Sequence, residues 1–190
     1  MNKNKSLFIF PPNIKFFSAL PYKMTFCCDN PYQTICKNKD LSVFKSLIDL
    51  AGLKSVFACL KKSTIFAPTN QGLENYPAGL IKYLTDAANR ELLRSVLLYH
   101  ITNEGAFTTQ QLEASKVLKM KDGRITTIYR ALYYNFVPVV QDFIQQNINV
   151  VEGNIATYCN NYIQKIGGLL LPEQIYYPQV LNPRYESGEF

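Results

Sequence analysis

The run Thr64-Ile65-Phe66-Ala67, followed at once by Pro68-Thr69-Asn70, constrains this chain more than any other feature. Its apolar, β-branched and aromatic composition suits a short buried strand. Proline has no N–H for a sheet ladder, so the chain must turn at Pro68. Thr69 or Asn70 then offers a side-chain oxygen to the open N–H groups of a helix. The expectation is a buried strand, a corner, and a short helix that stops at Pro77.

Helical spacing precedes this unit. Apolar residues at 41, 44, 48 and 51 follow an i, i+3, i+7 pattern, with Asp40 as the expected cap and Gly52 as the terminator. A second short helix is expected from Lys54 to Leu60. Beyond the corner, Asp86 or Asn89 is the expected cap of a longer helix whose apolar side is Leu92, Leu93, Val96 and Leu97. "LLYHIT" (97–102) then turns strand-like, and Thr108 caps a helical turn through Leu112. "KVLKMKDGRITTIY" (116–129) reads as a hairpin, because Asp122-Gly123 suits a tight turn between two apolar runs. Residues 129–147 read as a strand and then a short helix after Pro138. "NNYIQKIGGLLLP" (160–172) reads as a closing apolar strand. Helices first and strands later argue for an α+β domain.

Charge and cysteine usage exclude several roles. The net charge of +6 is spread thinly, and its densest group is Lys116, Lys119, Lys121 and Arg124. Asp122 interrupts that group and no aromatic is interleaved for base stacking, so nucleic acid is not expected as a partner. Five cysteines, at 27, 28, 36, 59 and 159, form no disulfide framework. Cys59 and Cys159 read as small buried hydrophobes. With one histidine in the chain and no paired Cys-x-x-Cys, no metal is expected. No cofactor is expected either, because dinucleotide and phosphate-binding loops are missing, as are hydrolase and metalloprotease signatures. His100 is the one candidate for His-dependent catalysis and has no nucleophile in a recognisable frame beside it. A catalytic role is not expected. No run of apolar residues reaches the length of a membrane span, which leaves proximity to a membrane open.

Three segments, in order, resemble the fasciclin-type domain family. "TIFAPTN" (64–70) is similar to the family's "TVFAPTxxAF", and "LLYHIT" (97–102) to its "LLYHVV". "NNYIQKIGGLLLP" is similar, without a gap, to its closing "NGVIHVIDKVLLP". The resemblance implies a fasciclin-like fold, with helices packed on a two-sheet β wedge, and gives the Pro68 corner a structural role. Departures fall in the closing strand, where the family's His, Asp and Gly are Gln164, Gly167 and Asn161. In animal matrix members the Tyr-His pair is implicated in integrin recognition. Carried over, this points to Tyr99 and His100, with Leu97, Leu98 and Ile101 around them. Without the resemblance, the same residues read first as the start of a buried strand.

The implied organisation is an extended basic, aromatic arm (1–38), a fasciclin-like domain (39–176) and a Pro/Tyr-rich tail (177–190). Phe8, Phe10, Phe16, Phe17, Tyr22, Phe26 and Tyr32 in the arm, and Tyr176, Tyr177, Tyr185 and Phe190 in the tail, are of the type enriched in interfaces. The expected role is therefore a non-catalytic module that binds other proteins. In one version it is a structural accessory subunit of a larger intracellular assembly, mitochondrial, otherwise organellar, or cytoskeletal. In the other it is a secreted or cell-surface adhesion module. The odd cysteines, the aromatic arms and the lack of a secretory leader pattern favour the first; the family's habits favour the second.

Overall fold

The computed structural model describes residues 29–114, 116–130 and 138–175. The aromatic residues expected to bind partners in the first 28 positions (Phe8, Phe10, Phe16, Phe17 and Tyr22) lie outside the described residues, as does the tail from 176.

A helical layer comes first. It comprises α1 (Pro31–Lys37), α2 (Ser42–Ala51) and α3 (Lys54–Ala58). α1 falls inside the stretch expected to be extended. Its start is written locally: Asn30 and Gln33 form a capping box, with Pro31 in the first turn. Tyr32 and Ile35 are buried in the helical core, so the extended reading of 31–37 is corrected. Asp40 is not a cap either. Asn38 accepts from the Asp40 N–H and opens a 3-10 turn (Lys39–Leu41) that leads into α2. Gly52 ends α2 in the left-handed conformation (φ 69°), as its lack of a β-carbon allows.

β1 (Thr64–Pro68) follows and is buried throughout. Thr69 caps α4 (Asn70–Glu74) by accepting from the Gly72 N–H. Asn70 instead reaches back to α2: its Oδ1 accepts from the Val43 N–H at 3.0 Å, and its Nδ2 donates to the Lys39 carbonyl. The two candidate caps thus serve two different helices. α5 (Ala78–Thr85), which sequence reading did not place, and a 3-10 turn (Ala87–Asn89) capped by Asp86 lead to α6 (Arg90–Leu98). The strand expected at 97–102 shrinks to β2 (Ile101–Thr102), because α6 runs to Leu98.

After α7 (Thr109–Leu112) come β3 (Lys116–Lys119), β4 (Ile125–Arg130), β5 (Pro138–Gln141), β6 (Asn147–Thr157) and β7 (Asn161–Ile166). The β3–β4 hairpin turns at Gly123 (φ 100°), where the Asp122-Gly123 pair placed it. A strand, not a helix, follows Pro138. The strands form one mixed sheet in the order β2-β1-β7-β6-β5-β4-β3, with β1 and β7 parallel and in register from Thr64↔Tyr162 to Pro68↔Ile166. β6 belongs to both halves of this sheet. Its first residues pair with β5 and the rest with β7, across two register shifts between Val150 and Ile155. These bulges bend the sheet, and its edges nearly meet: Thr102 bridges Met120, and Lys121 N–H donates to the Ile101 carbonyl at 2.7 Å.

Alternation along β1 divides the core. Ile65 and Ala67 face the helices with Phe44, Ile48, Val96 and Leu97. Phe66 faces the inside of the curled sheet with Leu118, Ile128, Val140, Val150 and Ile166. The result is an α+β fold of helices on a sheet bent into two halves.

α4 sits directly on the end of β7. A β-carbon on Gly72 would lie 2.5 Å from the Gly167 carbonyl carbon, a backbone atom that no rotamer change can move. Gly72→Ala is expected to cost about 1–3 kcal/mol, read as a lower urea midpoint with an unchanged m-value.

Candidate functional site

The residues expected to recognise a partner lie where α6 ends. Tyr99 and His100 are fully buried, as are Leu97 and Ile101, and Leu98 is half-buried. The Tyr99 ring lies inside the sheet, and its hydroxyl donates to the Ile125 carbonyl at 2.9 Å. Burial pushes the Tyr99 phenol up. In this conformation both side chains are enclosed by the domain itself. They sit in a helix-to-strand turn, not at the start of a strand.

His100 joins three elements. Its Nδ1 lies 2.7 Å from the Val96 carbonyl on α6, and its Nε2 accepts from the Leu170 N–H at 3.0 Å. Its carbonyl accepts from the Phe66 N–H of β1 at 2.8 Å. Since Nε2 must accept, the ring is neutral with its proton on Nδ1. Burial holds its pKa down at about 4, against the opposing effect of the Val96 carbonyl. Both ring nitrogens are engaged by backbone, which leaves no lone pair for proton transfer to a substrate.

Leu170 belongs to a segment with no strand partner of its own. Leu169, Leu170 and Leu171 are buried beyond β7, and each N–H is taken by a different side chain. Leu169 N–H donates to the Tyr76 hydroxyl at 3.1 Å, Leu170 to His100, and Leu171 to Asp142 Oδ2 at 3.1 Å. Burial pushes the Asp142 carboxyl up, while the N–H groups of Leu171, Gln146 and Ile144 pull it back. Tyr76 and Asp142 were not singled out from sequence, because their acceptor roles depend on contacts 93 and 29 residues away.

Gln164, which stands where the family pattern has His, is fully buried. Its Nε2 donates to the Phe107 carbonyl at 2.8 Å, and its Oε1 accepts from the Asn154 N–H at 3.1 Å. Asn154 is left-handed (φ 64°), so the amide secures the bulge of β6 and the approach to α7 together. Asn161 accepts from the Ser63 N–H and donates to the Leu60 and Tyr158 carbonyls, fixing the start of both central strands.

Two features face solvent. One is a polar cleft of about 550 Å³ between α4 and the bend of β6, with the Lys165 ammonium at its wall. The Lys165 side chain is 5% exposed, and its ammonium bridges Asp40 at 3.0 Å and Glu152 at 2.8 Å. Its charge is matched there by the two carboxylates. The other is the outer face of the β3–β4 hairpin. Val117 and Ile125 are each 62% exposed, and the pairings Val117↔Thr127 and Lys119↔Ile125 put them diagonally adjacent on one face. The basic group nearby is partly neutralised: Arg124 pairs with Asp122 and Glu173, and the Lys116 ammonium lies over the Phe107 ring. Among the described residues, no cluster of side chains suited to a metal occurs and no helix is long and apolar enough to cross a membrane.

A family model for the fasciclin domain matches residues 39–172. The chain is 28% identical to Protein sll1483 of Synechocystis sp. over 97 residues, which is 46% of this chain and 53% of that protein. It is 28% identical to human Stabilin-1 over 144 residues, covering 75% of this chain and 5% of Stabilin-1. It thus spans about half of one of these relatives and a small part of the other. Among solved structures, a FAS1 domain pair from the insect cell adhesion molecule fasciclin I superposes with a TM-score of 0.64 at 17% identity, over 75% of this chain and 51% of that one.

The buried imidazole gives the domain an acid sensitivity of definite sign. The folded pKa of His100, about 4, lies below its ordinary 6.5, so the unfolded chain takes up the proton first. The His100 contribution is complete above pH 6.5 and is lost as pH falls toward 4. Asp142, raised by burial, acts in the opposite sense. His100→Gln, which does not titrate, is expected to cost about 1–3 kcal/mol at pH 7. The gap between wild type and variant should then narrow by about 1.4 kcal/mol per pH unit below 6.5. Urea unfolding of both proteins between pH 7 and 4.5 checks this; a constant gap would refute the assignment.

Proposed function

The chain belongs to the fasciclin domain family, and on that premise we propose that it is a non-catalytic module that binds other proteins through the outer face of its β3–β4 hairpin. The observation that carries this reading is where the side chains point. Tyr76, Tyr99, His100, Asp142, Asn161 and Gln164, the polar groups best placed for chemistry, all hydrogen-bond backbone groups inside the domain. Two large apolar side chains, Val117 and Ile125, lie side by side in solvent. Apolar groups on the exposed strands of a sheet are what a partner protein covers.

Two settings suit such a module. The insect protein with the matching FAS1 pair is a cell adhesion molecule, and that likeness favours adhesion. The aromatic residues Phe8, Phe10, Phe16, Phe17 and Tyr22 favour an accessory subunit in an intracellular assembly, where they would lie against neighbouring subunits. Asn4-Lys5-Ser6, the one glycosylation sequon, separates the settings. A sugar on Asn4 assigns the chain to the secretory route; sedimentation with a large intracellular assembly assigns it to the subunit reading.

The double variant Val117→Lys, Ile125→Lys tests the binding face. Both positions are exposed, so stability should stay within about 0.5 kcal/mol of wild type for each change. The full chain, expressed in its own cells, is expected to run on a native gel in a complex larger than a monomer, and the variant to lose that complex. A wild-type chain that is monomeric, or a variant complex of unchanged size, would overturn the proposal.

A further inference from the structure

The curled sheet closes where β2 meets β3, and the seam opens beside that point. Thr102 bridges Met120, the Thr102 hydroxyl donates to the Lys119 carbonyl at 2.8 Å, and Lys121 N–H donates to the Ile101 carbonyl. Beyond Thr102 the chain is drawn off toward β1: the Thr64 hydroxyl donates to the Gly105 carbonyl and accepts from the Phe107 N–H, each at 2.8 Å. Among the described residues, no strand therefore runs beside the first part of β3. Met120 N–H donates to the Arg124 carbonyl, so the alternation of an antiparallel ladder gives the backbone groups of Leu118 and Lys116 to β4. The Val117 N–H and carbonyl, with the Lys119 N–H, point the other way. Among the described residues nothing takes these three groups.

A cleft of about 510 Å³ lies at this opening, with Asn103 and Glu104 on one side and the chain from Lys119 to Gly123 on the other. Its charge is lopsided. Lys119 and Lys121 are exposed and, among the described residues, ion-paired to nothing; Val117 shares their face of β3. Of the two acids, the Asp122 side chain is 4% exposed and held by Arg124, which leaves Glu104 alone against two lysines. No cysteine lines the cleft; Cys59 is exposed and Cys159 half-buried, which corrects the expectation that both are buried. The opening thus combines an unpaired strand edge with an excess of positive charge, and its groups are ones that bind.

We propose that this seam takes up an extended acidic segment of a partner protein, which lies along β3 and adds a strand to the sheet. The inference rests on the reading of the β3–β4 hairpin as the binding face and names what that face binds. Backbone groups of the segment meet the Val117 N–H and carbonyl and the Lys119 N–H, as in other strand additions. Its carboxylates lie beside Lys119 and Lys121. Its alternate side chains turn inward, where Phe107 and Leu118 lie, and are apolar. A second copy of this chain is not the occupant, because pairing two β3 edges would set Lys119 and Lys121 against their own counterparts.

The test uses the purified full chain and fluorescein-tagged heptapeptides of alternating glutamate and valine, or of alternating lysine and valine, with binding read by anisotropy. The glutamate peptide is expected to bind at least about ten-fold more tightly than the lysine peptide, and Lys119→Gln with Lys121→Gln to weaken it about five-fold. A strand presents every second N–H to its neighbour. Of two glutamate peptides, N-methylated at the glutamates or at the valines, only one should therefore lose binding, by about ten-fold. No binding, equal affinity for the two charges, or an equal effect of both N-methylations would overturn the proposal. The face itself is judged separately: if the Val117→Lys, Ile125→Lys variant loses its complex while the glutamate peptide fails to bind, the face stands and this proposal falls.

Discussion

Everything in this domain converges on the hydrogen bond between Leu170 N–H and the neutral imidazole of His100. Through that residue α6, the central strand β1 and the segment after β7 are tied at one point. The segment Leu169–Leu171 is buried yet has no neighbouring strand, a situation that normally leaves amide groups unsatisfied at a cost of about 1–3 kcal/mol each. Three side chains, Tyr76, His100 and Asp142, stand in for the missing strand. Because they come from three separate parts of the chain, satisfying the segment also fixes the helical layer against both halves of the sheet. A charged His100 would present a second N–H to Leu170, so the network requires the neutral ring.

The departure from the family pattern in β7 is likewise absorbed by hydrogen bonds inside the domain. An amide can donate and accept at once, and Gln164 does both, toward the Phe107 carbonyl and the Asn154 N–H. The bend of β6 depends on it, since the left-handed Asn154 must be held against the strain of that conformation. Gly153, next to it, has no room for a β-carbon beside Thr109 and Gln164.

Local signals were legible and remote ones were not. Thr69, Gly52, Thr108 and Asp122-Gly123 act on residues within a few positions, and each does what its residue type implies. α1 was announced by Asn30-Pro31 and Gln33, a capping box hidden in a stretch without apolar period. β6 was missed because its two register shifts break the alternation that marks a strand. Asn70 shows the limit most directly: it is a cap, as its position suggests, but for a helix 27 residues earlier. Whether Tyr99 and His100 face in or out could not be read locally, since apolar flanks suit a core and an interface equally. The segment that buries them lies 70 residues further on. The hairpin itself was readable, but which of its apolar residues stay in solvent depends on the curl of the whole sheet.

The parallel pairing of β1 with β7 has a consequence for how the protein is made. Ser63 and Asn161, hydrogen-bonded at the head of this pair, are separated by 98 residues. On the ribosome, Phe66 and its strand emerge long before the partner that covers them exists. During that interval the helices can assemble, but the central strand keeps an open edge, the kind of surface on which nascent chains misassociate. Closing such a long loop is also slow relative to local pairing. A domain built this way cannot mature in halves: its completion waits for the last strand to leave the exit tunnel.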